Sequence, residues 1–240
     1  MKVLHVWNAG RVGSVLARCF PGSVVYCCGP DYFRIMQDPI VRPFGSPEGM
    51  AEAAIRDAGK FDIVHVHAID WLLPRLRKEN PRARIVMHHH GQNLRDNPAE
   101  AKKLAKWADL VLVSTPDLLP LLDDGAVYLP NPIDETLFAR RLPEQGRWLG
   151  EGIMWPVCYE WHLPFKDAVR KRFPDVKFWT RWESPMPYWM MPGFLSQFET
   201  EISWKPEVDY EHAGPFPVWT LTDLEMLAIG HKVFHWPTGV

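Results

Sequence analysis

The sequence predicts an α/β protein in which parallel strands alternate with helices. Residues 61–91 read as a strand (FDIVHVH), a segment with helical spacing (AIDWLLPRLRKEN) and a second strand (within PRARIVMHHHG). The chain opens with another strand, a glycine-bearing turn and a helix, and the alternation continues to about residue 134. Strands alternating with helices are typical of a parallel sheet with crossover connections.

The first part of the chain therefore reads as one doubly wound domain. Six strands are predicted, at residues 2–7, 23–28, 61–67, 85–90, 109–114 and 126–129, and the helices between them at 12–20, 48–58, 68–80, 99–107 and 116–123. Residues 29–46 contain three prolines and are predicted to be irregular.

A change of composition near Arg140 predicts a second, smaller domain. We expect an N-terminal domain at residues 1–140 and a reduced C-terminal α/β domain at 141–240. The latter has predicted strands at 152–158, 176–180 and 232–236, helices at 164–173 and 221–230, and a proline-rich loop with aromatic anchors at 184–193. Its tryptophans are expected mainly to fill its core: Trp155, Trp161, Trp179, Trp182, Trp189, Trp204, Trp219 and Trp236.

Composition argues against several classes of protein. Hydrophobic residues make up 47% of the 240 residues, enough for a sizeable core, and the net charge of -2 without a long charge run gives no basis for binding nucleic acid. The four cysteines form no C-x-x-C pair, which argues against a disulfide framework or a structural zinc site. With neither a signal peptide nor an apolar run of 18 residues, we expect a soluble cytoplasmic protein, and peripheral contact with a membrane stays open.

The turn after the first strand is a candidate for contact with an anionic ligand. Gly10 and Gly13 allow backbone N–H groups to come close to a phosphate. Their spacing is not G-x-G-x-x-G, although Asp31 stands where a dinucleotide-binding domain places its ribose-binding acid. A plain tight turn, in which glycine relieves backbone strain, is the simpler interpretation.

Histidines end two neighbouring strands, where α/β sheets bind their ligands. They are His65 and His67 on the first strand and His88, His89 and His90 on the second. Metal binding, completed by Asp62, Asp70 or Asp96, is one interpretation. Hydrogen bonding of one or two histidines to a polar ligand is another, and for His65 and His88 a structural role is favoured.

A glutamate in the last predicted helix is the candidate for a nucleoside. Glu225 stands at the margin of a face formed by Leu221, Leu224 and Ala228. A carboxylate there would accept hydrogen bonds from ribose hydroxyls, and an ordinary solvated glutamate fits the spacing equally well.

Five stretches in order resemble the GT-B glycosyltransferases, in particular the GT4-like retaining group that uses nucleotide sugars. They are KVLHVWNAGRVGSVLARCF, FDIVHVH, IVMHHHGQ, ADLVLVSTPD followed by VYLPNPID, and DLEMLAIGHKVF. The resemblance implies two Rossmann-like domains facing a cleft, with the second reduced. It also implies metal-independent, retaining transfer of a sugar from a nucleotide-diphosphate sugar, without a cofactor, to an acceptor that is a glycan, a lipid or a protein.

The resemblance also implies roles for individual residues. His90 would hydrogen-bond the donor sugar, Glu211 would touch that sugar, and Gly10 with the backbone to Gly13 would approach the sugar phosphate. Glu225 matches the second glutamate of the family's E-x7-E motif and would hold the ribose.

The second domain departs from the family pattern. Pro217 stands where the first glutamate of that motif is expected, and Tyr210-Glu211 lies some six residues too far away. The cation for the diphosphate is best matched by Lys166, with Arg147 and Arg181 behind it.

Three alternatives remain at this stage. A non-catalytic relative would bind a nucleotide sugar or a glycan without transferring it. An NAD-dependent oxidoreductase would use the glycine turn and Asp31, and, more distantly, a metal-dependent hydrolase would use the histidines.

Overall fold

A computed structural model of the chain describes residues 1–31, 34–122, 125–138, 153–157, 166–180, 185–198, 200–203, 221–229 and 232–235. The chain divides into two compact units, residues 1–31 with 35–132, and residues 32–34 with 133–240. The boundary predicted after residue 140 lies outside the described residues.

The first unit contains a parallel sheet of seven strands in the order β3-β2-β1-β4-β5-β6-β7. The strands are β1 (Val3–Val6), β2 (Val24–Cys28), β3 (Val41–Phe44), β4 (Ile63–His67), β5 (Ile85–His89), β6 (Leu110–Val113) and β7 (Val127–Tyr128). The chain runs outward through β2 and β3 and then returns to place β4 beside β1. The order of strands thus reverses between β1 and β4.

Short helices connect these strands. They are α1 (Val12–Arg18), α2 (Pro47–Asp57), α3 (Leu73–Glu79), α4 (Gln92–Asp96) and α5 (Pro98–Ala105). Their starts follow ordinary capping rules, since Ser46 accepts a hydrogen bond from the Gly49 N–H at the start of α2, and Asn97 accepts one from the Glu100 N–H at the start of α5. Four 3-10 turns, Ala9–Arg11, Ala58–Lys60, Asp70–Leu72 and Pro116–Leu121, border them.

One face of the first sheet carries the main hydrophobic core. Leu4 and Val6 of β1 pack with Val64 and Val66 of β4 and with Met87 of β5. Side chains of α2, of α3 and of the 3-10 turn before α3 complete this cluster: Met50, Ala54, Ile55, Leu72, Leu73 and Leu76. Because side chains alternate across a strand, the residues between these apolar ones lie on the opposite face.

The second unit contains a parallel sheet of four strands in the order β11-β10-β8-β9. The strands are β8 (Ile153–Val157), β9 (Lys177–Thr180), β10 (Thr200–Ser203) and β11 (Lys232–His235), and the helices are α6 (Glu135–Phe138), α7 (Lys166–Arg172), α8 (Met191–Leu195) and α9 (Leu221–Ala228). Phe138, Met154, Leu195 and Met226 form the centre of its core.

The alternation of strands and helices predicted from the sequence is confirmed in both units, with some exceptions. Strand β10 was not predicted, the helix predicted at 116–123 is the 3-10 turn Pro116–Leu121, and two proline-rich segments also differ. Residues 29–46, predicted to be irregular, contain the 3-10 turn Ile35–Gln37 and strand β3. β3 is an edge strand, so Pro43 costs it no hydrogen bond that an inner strand would need. The predicted loop at 184–193 contains the 3-10 turn Tyr188–Met190 and the start of α8, and Pro192 stands in the first turn of α8, where a missing N–H is tolerated.

The tryptophans of the second unit are only partly described. Trp179 is buried in the core, as predicted, whereas Trp189 is 47% exposed. The other tryptophan side chains of this unit lie outside the described set. Within the residues that the structure describes, no helix combines the length and apolar character needed to cross a membrane.

Candidate functional site

The candidate site lies at the carboxyl ends of β1, β4 and β5, three neighbouring strands at the centre of the first sheet. In open α/β sheets, ligands bind beyond these ends where the strand order reverses, which here is between β1 and β4. The glycine turn follows β1, Ala68 follows β4, and His90 follows β5. The structure thus brings two of the predicted features, the turn and the histidines, to one edge of the sheet.

The glycine turn is held against β1 by one side chain. Asn8 accepts a hydrogen bond from the Ser14 N–H (3.0 Å) and donates one to the Ser14 hydroxyl (2.7 Å). A Cβ atom added to Gly13 would stand 3.1 Å from Asn8 Oδ1 and 3.2 Å from the Trp7 carbonyl oxygen. Gly13 is therefore needed for the close approach of α1 to β1, a packing role that was not predicted. Gly10 has a positive φ of 51°, which fits the tight turn in which glycine relieves backbone strain.

Positive φ angles at larger residues occur at the same edge. Trp7 (φ 73°) and Arg11 (φ 69°) flank the turn, and Ala68 (φ 59°) follows β4 directly. Such conformations cost roughly 1–3 kcal/mol each and cluster at functional sites. These residues lie where the strand order reverses, and their strained conformations support this edge of the sheet as a ligand-binding site.

Five histidines share one face of the sheet, opposite the hydrophobic core. His5 of β1 pairs in register with His65 of β4, and His67 of β4 pairs with His88 of β5. His90 lies two residues beyond His88 and so shares its face. We refer to these five residues as the histidine face; its first four members are 0–7% exposed and His90 is half-buried. The sequence interpretation overlooked His5, whose only signal was a polar residue inside the apolar run of β1.

The imidazoles form a chain of close contacts that ends at an asparagine. His5 Nδ1 lies 3.1 Å from His67 Nε2, His67 Nδ1 lies 3.0 Å from His90 Nε2, and His90 Nδ1 lies 3.2 Å from Asn131 Oδ1. Both ring nitrogens of His90, the predicted sugar-binding residue, are thus engaged within the chain. Asn131 belongs to the VYLPNPID stretch, which the sequence analysis did not place in the site.

His88 has no such partner. Neither of its ring nitrogens makes a hydrogen bond of good geometry among the described residues, although the side chain is fully buried and the Leu129 backbone lies near the ring. His5 Nε2 and His65 Nε2 are likewise buried without a partner in the described part of the chain. Each unpaired buried polar group lowers the free energy of unfolding by about 1–3 kcal/mol, so these nitrogens destabilise the fold unless a ligand pairs with them.

Burial keeps these rings uncharged at neutral pH. Loss of hydration lowers the pKa of His5 to about 4 and the pKa of His88 to about 3. The same cause, reinforced by neighbouring imidazoles, lowers the pKa of His65, His67 and His90 well below 6.5. The nearby Leu129 backbone and the Asn131 side chain act in the opposite direction on His88 and His90, respectively, but only in part. Each ring therefore offers a lone pair at pH 7.

The acids that the sequence offered as additional metal ligands lie elsewhere. Asp70 accepts a hydrogen bond from Asn93, which also contacts His89 on the opposite face of the sheet. Asp62 is exposed and accepts a hydrogen bond from the Lys2 N–H. Among the described residues, the groups with metal-ligand spacing consist of histidines alone: His5, His65 and His67, and His67, His88 and His90.

In the second unit, Glu225 is buried rather than solvated. It is 1% exposed and accepts a hydrogen bond from the Tyr188 hydroxyl. Met226 and Ile229 share its buried side of α9, whereas Leu224 and Ala228 are only half-buried. The predicted buried face was therefore wrong by about one position, and the interpretation of Glu225 as a solvated helix residue is excluded.

The remaining predicted residues divide into described and undescribed ones. Lys166 begins α7, and its Nζ lies 5.3 Å from the centre of the Phe178 ring, over which Arg170 also packs. Glu211, Arg147 and Arg181 lie outside the described residues. The Asp31 carboxylate accepts hydrogen bonds from the N–H groups of Ile35 and Met36, so it serves as a local turn cap.

Comparisons with known proteins identify the fold. No protein-family model matches the chain, and no curated protein matches it. Among solved structures, sucrose-phosphate synthase from Thermosynechococcus elongatus matches 98% of this chain and 81% of its own, at 12% identity and a TM-score of 0.57. An alpha-glucosyltransferase in complex with UDP and a 13-mer DNA containing an A:G mismatch matches 98% of this chain and 79% of its own, at 10% identity and a TM-score of 0.58. The chain thus has the α/β fold of GT-B-type glycosyltransferases.

Proposed function

We propose that the protein is a glycosyltransferase that moves a sugar from a nucleotide-diphosphate sugar to an acceptor. The observation that carries this proposal is the match of 98% of the chain to two sugar-handling enzymes, one of them bound to UDP. The buried carboxylate of Glu225 and the polar carboxyl edge of the first sheet support it.

The leaving diphosphate determines what the site has to supply. Negative charge develops on that group during transfer, and N–H groups or cations in fixed positions stabilise it. We assign the backbone of Gly10 to Gly13 and the ammonium group of Lys166 to this role. The proposed reaction is metal-independent and retains the configuration of the sugar, as the sequence resemblance implies.

Glu225 is assigned to the ribose hydroxyls of the donor. A carboxylate accepts from two hydroxyls at once, and charge-assisted hydrogen bonds are the stronger kind. Tyr188, which donates to Glu225, is then a positioning residue for this carboxylate.

His90 is assigned to the donor sugar, together with Glu211. The contact between His90 Nδ1 and Asn131 Oδ1 is 3.2 Å, the longest in the imidazole chain. A sugar hydroxyl would take the place of Asn131 as the partner of Nδ1, while Nε2 keeps its contact with His67.

The first experiment is a thermal-shift panel of UDP, GDP, ADP and NAD, each with and without EDTA, and with UMP as the control for the second phosphate. A ligand at about 100 times its dissociation constant adds about 2.7 kcal/mol to the free energy of unfolding. We expect one nucleoside diphosphate to raise the melting temperature in the presence of EDTA, and UMP to raise it less. A shift with NAD alone, or with no member of the panel, would overturn the proposal.

Binding alone does not separate an enzyme from a non-catalytic relative. The nucleotide sugar of the base that binds is therefore incubated with the protein, and released nucleoside diphosphate is measured over time. Slow hydrolysis of the donor in the absence of an acceptor is the expected result for a transferase. Binding without any release would assign the chain to nucleotide-sugar recognition.

A further inference from the structure

Three residues of the histidine face, His67, His88 and His90, have the spacing of metal ligands. The proposed sugar transfer does not require this spacing. The two ligand nitrogens nearest the carboxyl edge, His67 Nδ1 and His90 Nε2, are 3.0 Å apart, and the His88 ring lies 4.2 Å from the His90 ring. One nitrogen from each of these three residues falls within 4.8 Å of the other two. Three ligand atoms this close together are within reach of a single ion.

The spacing suits a tetrahedral metal ion. Bonds of about 2.0–2.1 Å to imidazole nitrogen place two such ligands roughly 3.3–3.4 Å apart around a tetrahedral centre. The two nitrogens of His67 and His90 face each other head-on, since the ring centres are 5.3 Å apart, so both rings have to turn and to separate by a few tenths of an ångström for their lone pairs to meet at one ion. β4 and β5 are inner strands of the sheet, and their register aligns His67 with His88, so the backbone already holds two of the ligands side by side.

The outer contacts of two ligands also fit. A metal-bound histidine usually donates its other ring N–H to a fixed acceptor. With a metal at His90 Nε2, the Nδ1–H group of His90 donates to Asn131 Oδ1 at 3.2 Å. With the same metal at His67 Nδ1, the Nε2–H group of His67 donates to His5 Nδ1 at 3.1 Å. Both outer acceptors are already in place.

The third ligand supplies an independent observation. His88 is fully buried, and neither ring nitrogen makes a hydrogen bond of good geometry among the described residues, although the Leu129 backbone lies near the ring. A metal bond to one of these nitrogens would satisfy it. Coordination by His67 Nδ1 and His90 Nε2 needs the neutral tautomers with the proton on His67 Nε2 and His90 Nδ1, the nitrogens that face His5 and Asn131.

We propose that His67, His88 and His90 bind one divalent transition-metal ion, Zn²⁺ by the chemistry of the ligands. Three neutral imidazoles leave the charge of the ion uncompensated, so the fourth position takes water, hydroxide or an anionic oxygen of a ligand. An all-nitrogen set of this kind favours Zn²⁺ and its neighbours over Mg²⁺ or Ca²⁺, which prefer oxygen. The metal and the donor sugar would use different partners of His90, so the metal-bound protein is a state distinct from the metal-free one proposed for sugar transfer.

The test uses the full chain, stripped with a chelator and dialysed. Zn²⁺ is then titrated calorimetrically, with Mg²⁺ as the comparison, and elemental analysis after dialysis gives the bound metal. We expect about one equivalent of Zn²⁺, a rise in melting temperature with Zn²⁺, and no rise with Mg²⁺. Less than a tenth of an equivalent in the refilled protein would overturn the proposal.

Two neighbouring residues offer a matched pair of variants. His88→Gln removes a proposed ligand, whereas His89→Gln changes the adjacent buried histidine, which contacts Asn93 on the other face. We expect loss of stoichiometric Zn²⁺ from the first variant and retention by the second. Equal affinity in the two variants, or equal loss from both, would overturn the assignment of His88.

Two further variants test the outer acceptor of His90 and the second group of three histidines. Asn131→Ala leaves all three ligands in place and should weaken Zn²⁺ binding by about 10–100-fold through the loss of the outer acceptor. His65→Gln should leave Zn²⁺ affinity unchanged, because His65 belongs to the other group of three histidines. Loss of Zn²⁺ from His65→Gln together with its retention by His88→Gln would place the ion at His5, His65 and His67 and would overturn the proposal. Nucleotide binding in EDTA is read separately, so failure of the metal site leaves the test of transferase function intact.

Discussion

Glu225→Gln is the substitution that tests the proposed donor site most directly. The amide has nearly the same size as the carboxylate and keeps one oxygen that can accept the hydrogen of Tyr188. It loses the negative charge and one of the two acceptor oxygens. If the ribose hydroxyls are held by this carboxylate, the substitution therefore removes one of two hydrogen bonds and the charge assistance of the other.

The expected loss is about 1–3 kcal/mol of binding free energy, the cost of unpaired groups in a buried site. At 1.4 kcal/mol for each tenfold change, the dissociation constant of the nucleoside diphosphate should rise by about 5–150-fold. Isothermal titration in EDTA measures this constant. Because Glu225 is buried, we also expect some loss of unfolding free energy, which urea denaturation measures separately.

The decisive comparison uses a ligand that lacks both ribose hydroxyls. For the wild-type protein, the dideoxy nucleoside diphosphate should bind more weakly than the ribose form. For Glu225→Gln, the difference between the two ligands should be clearly smaller, since one of the two hydrogen bonds to the hydroxyls and the charge assistance of the other are gone. Additive losses in this cycle would refute the ribose role, and Glu225 would then be a purely structural partner of Tyr188.

Three other substitutions have expected outcomes. Asp57 is 4% exposed, and hydrogen bonds from an arginine, a lysine and a tyrosine hold its pKa below 3.8. The stabilisation that its carboxylate provides is therefore fully present at pH 7 and is lost only as the pH falls below about 4. Urea denaturation at pH 7 should show a loss of about 1–3 kcal/mol for Asp57→Asn and less than about 0.5 kcal/mol for the exposed Asp62→Asn; equal effects would contradict this. Gly13→Ala should cost about 1–3 kcal/mol in the same assay, because the new methyl group crowds Asn8, and a gain would show that the turn yields. His90→Gln, assayed in EDTA, should lower donor hydrolysis at least about tenfold with less than a twofold change in nucleoside diphosphate affinity, and unchanged hydrolysis would remove it from the site.

The sequence was sufficient to predict the strands whose apolar runs are long and bounded by turns. β1, β2, β4, β5 and β6 were all expected from such runs. β3 was missed because it is a four-residue edge strand, VRPF, in which a proline and an arginine interrupt the apolar pattern. Pairing with β2 creates this strand, and pairing is a property of the folded chain.

The candidate site was predictable in location but not in detail. Histidines at the ends of two adjacent strands placed a ligand site at the carboxyl edge of the sheet. The sequence could not show that His5, sixty residues upstream, pairs in register with His65 and completes the histidine face. Nor could helical spacing alone decide the burial of Glu225, because a shift of one residue rotates the side chain by about 100° around the helix axis.

The two faces of the first sheet explain how the fold carries so many polar groups in its interior. The face toward α2 and α3 is apolar and carries the largest hydrophobic cluster among the described residues. The other face holds imidazoles whose unpaired nitrogens work against folding unless a ligand or a metal pairs with them. The same strands thus have one face that stabilises the fold and one face whose unpaired polar groups are stabilised when a ligand binds. Its carboxyl edge also has the glycine turn and the left-handed backbone at Trp7 and Ala68, so the cost of this face is concentrated where the sheet topology favours a ligand.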